Sequence, residues 1–324
     1  MNGTAAGSGH GRPRLGISRC LLGDEVRHDG GHKRNRYATE VLGEHVDWVS
    51  VCPEVEVGMT TPRPALRLIR AGGGSRMITI QTGEDWTERM NDYSRARADS
   101  LATEGLDGFV LKKNSPSCGM ERVKVYDHNE VPSRDGSGLF AGTLLERFPA
   151  LPMEEEGRLN DHRLRENFVT RIYAYQRWRE FLRREPSPAK LIEFHTGHKH
   201  LLLAHSPEHY YQLGPQVARA GSGEFQTIVA EYEAGFMSAL QHPAPVKRHV
   251  NVLEHLCGFL KEQLDGPAKQ ELGEVIESFR AGVVPLVAPL TLLNHHLRQI
   301  NHPWVGQQRY LDPYPRELAL RSVI

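Results

Sequence analysis

Short apolar runs fill the first half of the chain, and apolar stripes at helical spacing fill the second. "LGIS" and "DWVSV" are nearly unbroken apolar stretches, the pattern of buried strands. "ALRLIR" and "RMITIQT" flank "AGGGS" and predict a hairpin that turns on glycine. "TGEDWTERMNDYSRARADSLATEG" predicts a helix, with Thr82 as N-cap, acids in the first turn and Gly105 at the end. "DGFVLKK" predicts the strand that follows. This alternation predicts an α/β domain, Rossmann-like, with a mostly parallel sheet.

"RFPALPMEEEGRLND", with two prolines and an acidic run, reads as a domain boundary. Beyond it the pattern is helical, from "DHRLRENFVTRIYAYQRWREFLRR" to "APLTLLNHHLRQI". Asp161, Ser187 and Ser206 stand where N-caps belong, Pro207 follows the last of these, and Gly266 and Gly282 mark ends. The expected organisation is a loose N-terminal arm over 1–13, an α/β domain over 14–150 and an all-α domain over 158–324.

Composition narrows the class. Across 324 residues, 40 basic side chains balance 40 acidic ones, which argues against a wholly basic nucleic-acid binder but leaves room for a local patch. No apolar run approaches the ~18 residues of a membrane helix, and the first fourteen residues lack the apolar core of a signal peptide. A cytoplasmic location is expected, with no membrane partner. Four cysteines are too few for a disulfide scaffold, so the thiols are expected to be reduced.

Cys20, Cys52 and Cys118 each end a predicted strand beside Gly or Pro. In an open α/β sheet those ends line the ligand crevice, so three distant thiols can converge. Their spacings of 32 and 66 residues match no zinc-finger pattern such as C-x₂-C. A free cysteine is most often a small buried hydrophobe; three at the same kind of strand end favour a shared centre. A structural zinc or complete iron–sulfur site takes four protein ligands, whereas three leave a position open, as in a catalytic metal centre. Cys257, in "LEHLCGFLK", reads as helix core.

Around these thiols the sequence offers groups for an anionic or polar substrate. His28, Lys33 and Arg34 surround a glycine pair in "RHDGGHKRNR", and Lys112 and Lys113 precede the third cysteine. Such groups can hold a phosphate, or form a solvated basic loop. Glu54 and Ser117 are the catalytic candidates, a carboxylate beside a metal centre being a natural general base. Glu56 and Ser115 are their neighbours.

At these residues a family resemblance emerges. "GISRCLLGDEVRHDGGHKRN", "VCPEVEVGMTTPRPALRL" and "LKKNSPSCGMERVKVY" resemble, in order and without departure, the thiouracil desulfidase family. The match covers roughly residues 14 to 150. The remainder, with "FHTGHKHLLLAHSPEHYYQLG", resembles a helical domain often fused to it. The fused arrangement is similar to bacterial RNA desulfidases that remove sulfur from 4-thiouridine in tRNA. The resemblance implies an enzyme with a [4Fe–4S] cluster held by Cys20, Cys52 and Cys118. It further implies that the open iron takes the thiocarbonyl sulfur while a water, deprotonated by a carboxylate, attacks the ring carbon. The implied partner is tRNA or a thiolated pyrimidine, not DNA. Two alternatives stand beside this: a desulfidase of free thiouracil or thiouridine nucleotides, and a non-enzymatic RNA-binding protein with a structural metal.

The first helical segment interleaves arginines with Tyr173, Tyr175, Trp178 and Phe181, a composition suited to RNA. Arg171, Arg177, Arg179, His198 and Lys199 are the expected RNA contacts. The competing reading is an amphipathic helix with an aromatic core and solvated arginines. His195 and His198 share a helix face, which also makes a metal pair conceivable.

Overall fold

The computed structural model describes residues 11–300 and 303–324; of the expected arm, residues 1–10 lie outside the described residues. The chain forms two compact units, one ending at Asn160 and one beginning at Asp161.

In chain order the first unit runs β1 (Arg14–Ser18), β2 (Asp47–Val51), α1 (Pro53–Glu56), β3 (Leu66–Ala71), β4 (Gly74–Thr79), α2 (Thr87–Glu104) and β5 (Gly108–Leu111). It continues through β6 (Val123–Tyr126), β7 (Pro132–Gly136), α3 (Leu139–Arg147) and β8 (Met153–Glu155). One sheet is wholly parallel, in the order β2-β1-β5-β8. Leu15, Ile17, Phe109, Val110 and Leu111 are fully buried in it, as their apolar runs require. Gly16 pairs with Phe109, and a Cβ there would lie 2.1 Å from the phenyl ring. Only glycine lets these two strands close up.

A second sheet, β4-β3-β6-β7, carries the expected hairpin together with a strand pair the sequence concealed. Val123 and Val125 face a core of Leu68, Met77 and Met90. β7, "PSRDG", has no apolar position; it is an edge strand recognisable only by its partner. Helix α2 also starts later than expected. Thr82 pairs with the Thr79 hydroxyl at 2.5 Å, and Asp85 accepts from the Thr87 amide at 2.8 Å instead. Gly105 ends the helix as expected, at φ +72°.

The acidic run is not a solvated linker. β8 pairs with β5, past the boundary expected at 150, and Glu154, Glu155 and Glu156 are all buried. Glu155 accepts from the Met120 amide at 2.9 Å, and Glu156 from the Lys113 amide at 2.7 Å.

The second unit is helical: α4 (His162–Arg183), α5 (Pro188–His205), α6 (Pro207–Ala218), α7 (Phe225–Leu240), α8 (Val246–Gly258), α9 (Gly266–Arg280), α10 (Val287–Ile300) and α11 (Pro303–Gly306). The caps at Asp161, Ser187 and Ser206 accept amide hydrogens as expected. Gly266 opens α9 rather than closing α8, and Gly282 ends α9 at φ +75°. Its core is aromatic. The Trp178 ring stacks on Phe181 at 4.9 Å and meets Phe194 and Tyr232 at 5.2 and 5.3 Å. Among the described residues no helix is long and apolar enough to cross a membrane.

This unit buries several histidines, among them His195, His198, His200, His205 and His249. Burial lowers the pKa of each of these, His195 to about 4. His205 Nδ1 donates to the His242 carbonyl at 2.7 Å, which fixes the tautomer of that neutral ring. An unfolded imidazole takes its proton near the ordinary value of about 6.5. Below that pH the unfolded state holds more protons, so stability falls as pH falls towards the folded values. At pH 5 His195 alone should cost about 2 kcal/mol. Far-UV circular dichroism melts should show the helical transition dropping between about pH 7 and about pH 5. An unmoved transition would mean these rings are already charged in the fold.

Candidate active site

Strands β1, β2 and β5 are parallel neighbours, so their C-terminal ends share one edge of the sheet. Cys20 follows β1, Cys52 follows β2 and caps α1, and Cys118 lies in the turn after β5. All three line a single cavity of about 330 Å³. Cys52 and Cys118 are buried, and Cys20 is half-buried. Cys257 is half-buried in α8 of the other unit and belongs to no such group.

Charge on these thiols is costly without a partner. Burial pushes Cys20 up to about 11, and the neighbouring Cys52 adds to this; Lys112 and Arg27 oppose it. Burial also raises Cys118, helped by Glu54 and the other two thiols, and raises Cys52. Three thiolates in one cavity call for a cationic group between them. The donor set, three soft sulfurs with no fourth cysteine in the wall, fits an iron–sulfur group with one open position. Among the described residues, no three His, Cys, Asp or Glu side chains are grouped to hold one metal ion.

Glu54 lines the same cavity. One oxygen pairs with Arg63 Nη2; the other accepts from the Ser117 hydroxyl at 2.5 Å. A carboxylate only accepts, so Ser117 spends its proton on Glu54. Its oxygen is then free to accept from Ser115, 3.0 Å away. Ser115 also receives the Cys118 amide at 3.1 Å. The result is a directed chain, Ser115 to Ser117 to Glu54. Ser115 lines the cavity, whereas Ser117 is completely buried behind it. The hydroxyl at the wall is therefore Ser115. Glu56 braces the site instead of facing it, accepting from the Cys52 amide at 2.8 Å and the Tyr93 hydroxyl at 2.7 Å.

Arg63 was not singled out in the sequence, although it lies within the quoted "TTPRP". It is buried, and its Nη1 donates to the Val26 carbonyl at 2.9 Å. It ties Glu54 to the loop after Cys20. The only signal was an arginine inside a proline turn, which carries little information without coordinates.

The basic candidates divide. His28, Lys33, Lys112 and Lys113 line the cavity. Lys112 is ion-paired with Glu156 at 2.5 Å, so its charge is already engaged. Arg34 does not line it; its Nε donates to Thr39 at 3.2 Å and its guanidinium faces Glu40. Arg177 and His198, expected to meet RNA, are buried. His198 Nδ1 lies 2.7 Å from the Phe194 carbonyl and must donate, which leaves Nε2 to accept from Arg177 Nε at 3.3 Å. Arg177 also donates to the Pro313 carbonyl at 2.8 Å. These two groups are spent inside the core. Tyr173, Trp178 and Phe181 are core as well. Arg171, Arg179 and Lys199 are half-buried. His195 Nδ1 meets the Tyr232 hydroxyl at 3.1 Å.

Fold and site together define a class: an α/β domain built around a thiol-rich crevice, joined to a helical domain. Comparison with known proteins agrees. Residues 15–156 match the family model for 2-thiouracil desulfurase, and residues 199–315 that for a protein of unknown function, DUF1722. The chain is 30% identical over 164 residues to the uncharacterized protein YbgA of Escherichia coli K12, covering 50% of this chain and 97% of that protein. It is 34% identical over 111 residues to the uncharacterized protein YbbK of Bacillus subtilis 168, covering 32% and 71%. Among solved structures it is similar to the [4Fe-4S]-dependent thiouracil desulfidase TudS, at 29% identity and a TM-score of 0.38, over 46% of this chain and 93% of that one. The chain belongs to the thiouracil desulfidase family and carries a C-terminal DUF1722 domain. That membership gives it a desulfidase role.

Proposed function

We propose that the protein exchanges the sulfur of a thiolated uracil for a water oxygen, on a [4Fe–4S] cluster held by Cys20, Cys52 and Cys118, with 4-thiouridine in tRNA as substrate. The observation that carries this is the single cavity onto which three thiols and Glu54 open from adjacent strand ends. A multi-iron cluster takes one thiolate per iron, which three thiols lining one cavity can supply. When bound, its iron without a protein thiolate supplies a soft Lewis acid for sulfur.

The chain's own residues supply the rest. Glu54 takes a proton from water, directly or through Ser115 and Ser117. Arg63 holds the carboxylate towards the cavity. The apolar wall of Pro64, Ala65 and Leu66 suits a pyrimidine face, and the rim residues His28 and Lys33 suit a phosphate. Water donates oxygen to the ring carbon, sulfide departs, and no net electron is transferred.

The fused helical domain supports RNA as substrate. The alternative, free thiouracil or a thiouridine nucleotide, is supported by a cavity that lies wholly before Asn160. Anaerobic reconstitution with iron and sulfide, followed by mass analysis of nucleosides from treated tRNA, tests the choice. Conversion of 4-thiouridine to uridine in tRNA is expected. Turnover of the free nucleotide with tRNA untouched would select the alternative, and failure on both would refute the desulfidase mechanism.

A further inference from the structure

The helical unit holds a second cavity, of about 800 Å³, that this chemistry does not use. Its basic groups are Lys199 on α5 and Lys247 and Arg248 on α8. No Asp or Glu is among the described residues that line it. Arg248 is fixed, its Nη1 donating to the His205 carbonyl at the end of α5. The aromatic wall comes from three segments. Phe259 and Trp304 have ring centres 4.9 Å apart; Tyr210 and Tyr211 meet at 5.1 Å. Tyr211 is 70% exposed, so its ring adds nothing to the core.

One polar group in the wall has a defined role. Gln308 Nε2 donates to the Thr196 and Trp304 carbonyls at 2.9 and 3.3 Å, which fixes the amide. Its Oε1 therefore faces His200 Nδ1, 2.8 Å away. An amide oxygen only accepts, so Nδ1 carries the hydrogen. His200 is buried, and burial keeps the ring neutral. Nε2 is left as an acceptor on a ring that lines the cavity.

We propose that this cavity binds one nucleotide: the base against the aromatic wall, its imino N–H donating to His200 Nε2, and a phosphate on Lys199, Lys247 and Arg248. Base–aromatic stacking and cationic phosphate contacts are how proteins take unpaired nucleotides. The nucleotide belongs to single-stranded RNA. That identity rests on the reading of RNA as substrate; a free nucleotide offers the same groups, and the experiment separates the two sources.

The full-length protein is titrated with a uridine octanucleotide free of sulfur, with its abasic counterpart and with uridine monophosphate. Tyr211→Ala should weaken octanucleotide binding about tenfold and leave abasic binding unchanged. A Lys199→Ala/Lys247→Ala protein should lower the slope of log affinity against log salt by up to about 0.7, the share of the one phosphate held there. An octanucleotide of 3-methyluridine, which lacks the imino hydrogen, should bind the unmodified protein more weakly; equal binding overturns the role of His200. The same losses with uridine monophosphate, bound as tightly as the octanucleotide, assign the cavity to free nucleotides. Unchanged affinity for every probe in both variants overturns the proposal. Tyr211 and Lys247 are exposed, so their loss leaves the core intact. These probes carry no thiolated base, so the result is independent of desulfidation. Turnover of thiolated tRNA alongside unchanged affinities sinks the cavity and spares the substrate reading.

Discussion

Cys118→Ala protein is expected to emerge from anaerobic reconstitution without its iron and without activity. The same result is expected for Cys20→Ala and Cys52→Ala. The three thiols reach one cavity from three adjacent strands, and the wall contains no further cysteine to take over. Two thiolates would hold a cluster far more weakly than three. Cys257→Ala is the control, because that thiol sits on α8 in the other unit and should leave iron content unchanged. Iron analysis of the four variants decides the matter. Full iron in the Cys118→Ala protein would end the cluster assignment. The substitution removes only Sγ, while the Cys118 amide keeps its bond to Ser115, so loss of iron would not reflect a collapsed turn.

Glu54→Gln should retain iron and lose about 10²- to 10⁴-fold in turnover. The amide preserves shape but cannot take a proton, and it no longer draws the Ser117 hydroxyl as a carboxylate does. Arg63 would then be buried without its anion, at a cost of about 1–3 kcal/mol in stability. A thermal melt beside the rate separates that effect from catalysis. Ser115→Ala should give a smaller loss, since Glu54 reaches the cavity by itself. Wild-type turnover in the Glu54→Gln protein would transfer the base role to another group.

Much of the thiol centre was legible before any coordinates. An apolar run followed by Cys and then Pro or Gly marks a strand end, and parallel neighbours bring such ends together. The helical half was equally legible from its caps. What stayed hidden depended on partners distant in sequence. β7 has no apolar pattern of its own. Arg63 matters only because the fold sets it against Glu54. Arg177 and His198 read as surface groups because charged and polar residues on a helix normally face water. Here Arg177 Nε donates to His198 Nε2 inside the core, a contact between residues 21 apart. The sequence names Ser117 as the catalytic hydroxyl, whereas in the fold Ser115 lines the cavity and Ser117 is buried between it and Glu54.

The acidic stretch after the second proline governs how the gene could be shortened. Met153–Glu155 supplies the outermost ribbon of the parallel sheet, and Glu156 clasps Lys112 in the wall of the thiol cavity. A fragment stopped at residue 150 would bare the edge of β5 and invite aggregation. It would also release Lys112, and would fail for reasons unconnected with RNA. The compact first unit runs through Asn160 and keeps both this strand and Glu156, so a fair comparison of substrates with and without the helical half begins from that cut.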